Sequence, residues 1–211
     1  MKTNYKSIHF VSGVLLATFI GLHLFNHACA LFGAELHIGV MQTLRKLYRH
    51  TLVETVLLLA VATQIYSGLR LFLIRGGLVF GFFEKLQLWS GLYLAFFFII
   101  HVGAVMVGRG LLGLETNFYF GVAGLNTFPL NIFFVPYYAL AIISFFGHLA
   151  AIHAQKMKFK IGGLSPVRQA WLIWLGGMLF TLILLYGLTN RFHGVDIPPA
   201  YQLFSPNELT H

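Results

Sequence analysis

The sequence predicts an all-α integral membrane protein with five spanning helices, and three observations predict it. Apolar residues make up 58% of the 211 residues and charged residues only 9%. A water-exposed surface needs more charge than that, since about 25% is usual in soluble domains. Five stretches, roughly 9–32, 51–74, 86–108, 128–154 and 167–190, are apolar over the length of a crossing helix, which is about 20 residues. Their apolarity is continuous, without the period-2 alternation of a transmembrane β-strand. A helix also satisfies its own backbone hydrogen bonds in lipid. The whole chain, 1–211, reads as one transmembrane domain without a soluble part.

Taken in order, the first span follows Met1-Lys2-Thr3-Asn4-Tyr5-Lys6 and superficially suggests a secretory signal, with Ala28-Cys29-Ala30 at a cleavage-like position. It is too long for a signal core and is interrupted by His23, Asn26 and His27, so it reads as a retained helix. The segment 35–50 places Leu36, Val40, Leu44 and Leu47 opposite Arg45, Lys46 and Arg49, the pattern of a helix lying in the membrane interface. Connections 76–85 and 155–166 are short, basic and punctuated by Gly or Pro, as turns between antiparallel neighbours are. Segment 109–127, with Phe118, Tyr119, Phe120 and four glycines, reads as a cap on the bundle. The tail from Phe192, with Pro198-Pro199, reads as extended. Cys29 is the only cysteine, which excludes an internal disulfide or a cysteine-built iron–sulfur site and leaves a small buried hydrophobe.

Orientation follows from lysine and arginine at the span ends. Lys2, Lys6, Arg70, Arg75, Lys85, Lys156, Lys158, Lys160 and Arg168, nine in all, share the face of the N-terminus. Arg45, Lys46, Arg49, Arg109 and Arg191, five in all, lie on the other. The bias predicts a cytoplasmic N-terminus and an outside C-terminus.

Spans one and three carry a repeat. SGVLLATFIGLH (12–23) and SGLYLAFFFIIH (90–101) each open on Ser-Gly and close on a histidine eleven positions after the serine. Eleven residues at about 100° each return to within about 20° of the start, so serine and histidine share a helix face. Duplication of a two-helix unit accounts for the pattern, with or without a present function.

Ionisable residues inside spans are costly and functional by default. Here they include the histidines His23, His27, His101, His148 and His153. His23 and His101 each lie about 15 residues into a span travelling the same way, about 22 Å along at 1.5 Å per residue. They can meet at one depth. Two imidazoles from different helices at matched depth suit a six-coordinate haem iron, with helix-to-helix hydrogen bonding as the plainer reading. Gly13, Gly21, Gly91 and Gly103 are expected to leave room for a flat macrocycle. His148 lies nearer the N-terminal face, where span two offers only Gln64, a poor haem ligand. His148 is then a single axial ligand, a quinone partner or a structural residue. His27 lies too far outward and His153 points elsewhere around its helix.

At these residues the chain resembles the di-haem cytochrome b membrane anchors of succinate dehydrogenases and fumarate reductases, of the five-span type. The resemblance rests on HLFNHACALFGAE, SGLRL, NFYFGVAGLN and GHLAAIHA in that order, and covers nearly the whole chain. It implies a four-helix haem-binding bundle from spans one to four, with the fifth span peripheral. It implies an outer haem b on His23 and His101, in agreement with the depth argument. It implies an inner haem at the positions of Gln64 and His148, and the glutamine departs from that pattern and favours one haem. It also implies a quinone substrate. Related subunits often carry arginine before the first Ser-Gly, where this chain has Phe10, so Lys6, Ser7 and His9 are the substitutes for an inner quinone site. Glu54, then Glu35, are the carboxylates for an outer one. Arg45, Arg49 and Arg109 outside, and Arg70 inside, suit haem propionates or are snorkelled topology-setting charges.

The expected function is electron transfer between an iron–sulfur subunit and membrane quinone, in a bacterial inner membrane. A flavoprotein and the iron–sulfur subunit would dock on the cytoplasmic face, and no nucleic acid is expected. The chain by itself shows no flavin or dicarboxylate site and is not expected to act on succinate or fumarate. The alternatives are a cytochrome b subunit of another oxidoreductase, or a haem-free transporter or assembly protein.

Overall fold

A computed structural model describes residues 4–75 and 80–202; the side chain of Arg75 is not among them. Lys2, part of the first basic connection and the end of the tail therefore lie outside the described residues. The chain is all-helical, 81% helix without strands among the described residues, and five helices are long and apolar enough to cross a membrane.

The helices are α1 (Tyr5–Ala28), α2 (Ala34–Tyr48), α3 (Thr51–Arg75), α4 (Phe82–Gly110), α5 (Phe118–Asn126), α6 (Asn131–Lys156) and α7 (Pro166–Leu188). A 3-10 turn, Cys29–Phe32, extends α1. Their starts are written in the sequence as side-chain caps for amide groups that a helix leaves unpaired. Asn4 accepts from the Ser7 amide, Asn117 from those of Tyr119 and Phe120, and Ser165 from that of Arg168, with Pro166 opening α7. Glu84 reaches back to the Gly81 amide at the start of α4.

Adjacent spans are antiparallel, so the bundle has a first face, at the N-terminus of α1, and a second face that carries α2 and α5. Around the bundle α1 packs along α3, α3 meets α4, α4 packs along α6, α6 along α7, and α7 returns to α1. Helix α1 thus looks across the interior at α4 and α6. Small residues let the helices approach, as they must where lipid offers no hydrophobic contrast. Ala150, Ala151 and Ala170 are fully buried, Gly147 lies against Trp174 and Leu86, and Gly177 lies against Phe146.

The fifth span is therefore not peripheral: α7 lies along α6 and touches α1 and the 3-10 turn. The second face is capped as expected, but by a folded cluster. Phe118, Val122 and Leu125 of α5 pack with Ala30 and with Leu185 and Leu188 of α7. The tail is not simply extended either. Asn126 Oδ1 accepts from the Val195 amide, Val195 and Ile197 pack on that cluster, and Pro199–Tyr201 forms a 3-10 turn against α5.

Candidate functional site

The two histidines that end the repeat do meet. His23 of α1 and His101 of α4 face each other across the bundle with ring centroids 6.2 Å apart and planes at 64°. Each ring is held by an aromatic one turn earlier on its own helix: Phe19 stacks on His23 at 5.9 Å and Phe97 on His101 at 4.9 Å. His27 also belongs to this group, because its Nε2 is 3.1 Å from His23 Nε2. Its Nδ1 is 3.2 Å from Nε2 of His37, which receives the Asn26 amide at 3.2 Å as well. His37 comes from α2 and is 2% exposed. Its Nδ1 and Asn26 Oδ1 are buried without a hydrogen-bond partner. Four imidazoles thus run from the bundle interior to α2.

Sequence reasoning missed His37, since the apolar stripe of α2 drew attention to the wrong side. Leu36 and Leu47 are exposed, while His37 and Met41 turn inward. Burial holds the His37 imidazole down at about 4, with His23 and Arg45 adding to the effect. Gly21 and Gly103 do not line the pair. Each lies two residues from its histidine, about 200° round the helix, and a side chain there would meet nothing nearby.

The Ser-Gly ends of the repeat build a second constellation near the first face. Ser12 Oγ is 2.6 Å from Gln64 Oε1, and Gln64 Nε2 donates to His9 Nε2 at 3.1 Å. His9 Nδ1 lies 3.0 Å from Ser67 Oγ, whose own proton goes to the Thr63 carbonyl. Across the interior, His148 Nδ1 donates to the Gln87 carbonyl at 3.0 Å and lies 3.2 Å from Ser90 Oγ. The His9 and His148 rings stand 6.5 Å apart. Three Ser-Gly dipeptides, at 12–13, 67–68 and 90–91, therefore surround one site. Each serine is buried and each glycine closely abuts a polar side chain: Gly13 meets Gln64, Gly68 meets His9, and Gly91 meets His148.

The remaining candidates have other partners. Glu54 takes a hydrogen bond from Arg109, tying α3 to α4. Arg45 and Arg49 both bind Glu115, and through it hold α2 to the α4–α5 loop. Desolvation pushes the Glu115 carboxyl up, but the two guanidiniums outweigh it and hold it below its ordinary value. Arg70 lies over the Tyr5 ring at 5.6 Å. Lys6, Ser7 and Glu35 are exposed. His153 binds Gln169 at 2.8 Å and joins α6 to α7, away from both sites.

No family model matches the chain, and neither does any curated protein or solved structure. The chemistry rests on the two sites themselves. Among the described residues no three His, Cys, Asp or Glu are grouped to hold a metal ion on their own. Two imidazoles suffice where a porphyrin supplies the other four ligands. With an imidazole nitrogen about 2 Å from its metal, axial rings on opposite sides of one iron have centroids about 6 Å apart. The His23–His101 separation of 6.2 Å fits that spacing. Iron on His23 Nε2 would replace that nitrogen's hydrogen bond to His27.

Proposed function

We propose that the chain is the haem b-binding membrane anchor of a succinate dehydrogenase or fumarate reductase complex. It passes electrons between an iron–sulfur subunit and quinone. The observation that carries the reading is the His23–His101 pair, two neutral rings from separate spans at haem-ligand spacing in an apolar interior. A haem b there supplies a one-electron carrier inside the bilayer. The protein's part is to hold both rings in place, through Phe19 and Phe97, and to keep water from the pair. The first face is the docking side for the flavoprotein and iron–sulfur subunits and lies in the cytoplasm of a bacterium. Lys6, Arg70, Lys85, Lys156, Lys158, Lys160 and Arg168 are exposed there. Among the described residues the ion pairs all lie on the second face, so the first face, where Glu84 is the one acidic residue described, offers a predominantly positive surface to acidic partners.

The test is an absorption spectrum of protein purified from membranes, reduced minus oxidised. A b-type α-band with a co-purifying flavoprotein is expected. The band without a flavoprotein assigns the chain to another oxidoreductase. A colourless, fully folded preparation overturns the haem reading. One observation favours that haem-free alternative: the 3.1 and 3.2 Å contacts from His23 through His27 to His37 form a continuous imidazole chain suited to moving protons.

A further inference from the structure

We infer that His9 and His148 are the axial ligands of a second haem b, near the first face. The inference rests on the haem reading above and changes the ligand set that the resemblance implies, in which Gln64 stands opposite His148.

The geometry repeats that of the first pair. His9 and His148 come from α1 and α6, which face each other across the bundle without packing together. Their centroids are 6.5 Å apart and their planes cross at 68°, against 6.2 Å and 64° for His23 and His101. In both rings Nδ1–H is fixed from behind in the way of metal-bound histidines, which leaves Nε2 as the basic nitrogen. For His148 the partner is the Gln87 carbonyl, which can only accept, so Nδ1 carries the proton. For His9 it is Ser67 Oγ, whose own proton is given to Thr63. His9 Nε2 in turn accepts from the Gln64 amide, which identifies it as the basic nitrogen.

Gln64 then has a role that is not ligation. Its Oε1 is held by Ser12 and its amide occupies the His9 lone pair, so it is the group that iron would displace. Glycine at 13, 68 and 91 keeps the backbone close to these three side chains. A Cβ at Gly13 would stand 3.2 Å from Gln64, one at Gly68 3.2 Å from His9, and one at Gly91 3.1 Å from His148. Plain helix packing does not need a glycine beside every polar member of a buried group.

The test is haem-to-protein stoichiometry by pyridine haemochrome, on the full chain and on variants His9→Ala, His148→Ala, Gln64→Ala and His101→Ala. Two haems per chain are expected in the parent protein. His9→Ala and His148→Ala should each leave one, which His101→Ala then removes when combined with either, and Gln64→Ala should leave two. A parent protein with one haem, lost in His101→Ala and untouched in His9→Ala, overturns this inference while the function proposed above stands. A protein with no haem overturns both. If His9→Ala does not fold, judged by helical circular dichroism and size exclusion, His9→Met keeps a ligand in place. It should retain two haems, one with a raised midpoint potential, because thioether ligation raises the potential. Unchanged potentials for both haems would exclude His9 as a ligand.

Discussion

His37 Nε2, on α2, lies 3.2 Å from Nδ1 of His27, inside the first span. Through this contact α2 is fixed to the histidine cluster. Arg45 and Arg49 fix its other side to Glu115. Helix α2 is thus held to the second face from both sides.

Burying that imidazole makes stability depend on pH. His37 titrates near about 4 in the folded protein and at 6.5 in a free chain, so between those values the unfolded chain binds the extra proton. Stability is full above the upper value and is lost as pH falls toward the lower one. The melting temperature in detergent should drop between pH 7 and pH 4.5, and His37→Gln should flatten that slope. A variant with the parent's slope would mean that His37 is not buried neutral. Glu115→Gln, which removes a carboxyl held below its ordinary value, should differ from the parent only at the acid end of the range.

The Arg109–Glu54 pair joins neighbouring spans with its side chains 32% and 26% exposed. That places it between surface pairs, worth up to about 1 kcal/mol, and buried ones, where losing a partner costs about 3–5 kcal/mol. Glu54→Gln and Arg109→Gln should each lower stability by about 1–3 kcal/mol. The double variant should lose less than the sum of the two. Additive losses, measured by thermal unfolding, would show that the ion pair contributes nothing as a pair.

The two ends of the repeat predict different losses from one helix. On the proposed haem reading, His101→Ala removes one ring of the second-face pair and should abolish the haem proposed there, while Ser90→Ala, eleven positions earlier, leaves His148 held by the Gln87 carbonyl alone. The signal of the haem proposed at His148 should broaden or shift while that of the His101 site stays as it was. His153→Ala touches neither site and should change neither signal, although α6 and α7 lose a hydrogen bond. Spectra recorded on the three variants check all of this, and loss of haem in His153→Ala would refute the assignment of ligands.

The spans are legible in the sequence to within about four residues: the expected 51–74 and 167–190 correspond to Thr51–Ile74 and Pro166–Leu188, while the expected 9–32, 86–108 and 128–154 begin at Tyr5, Phe82 and Asn131. Apolar length and caps are local properties. Facing His23 toward His101 was also legible, because depth follows from counting residues. Which side of a span looks inward was harder to read. Lipid is as apolar as the interior, so leucines on the two sides of α1 look alike in sequence, and only polar residues mark a direction. That is why His9, close to the start of its span, reads only as a substitute for an inner quinone site beside Lys6 and Ser7, and its reach to Gln64 and Ser67 is not foreseen. His37 is hidden for a related reason: Leu36 and Leu47 of the apolar stripe are exposed, while His37 and Met41 are the α2 residues that turn fully inward.

The same ambiguity separates two glycines of α7. Gly187 approaches the chain at the end of the first span so closely that a Cβ would stand 3.0 Å from the Leu31 amide nitrogen and 3.3 Å from the Ala30 carbonyl carbon. Both are backbone atoms of the 3-10 turn and cannot swing aside. At Gly176, exposed on the outer side of the helix, a Cβ would meet nothing nearby. Gly187→Val should therefore force α7 off the turn, at about 1–3 kcal/mol as other overpacked sites do. Gly176→Val should stay within about 0.5 kcal/mol of the parent, as exposed substitutions do. Thermal unfolding of both variants in the same detergent decides the matter. Equal losses would mean that α7 does not close the ring against α1, and that the fifth span is an outrider of the bundle after all.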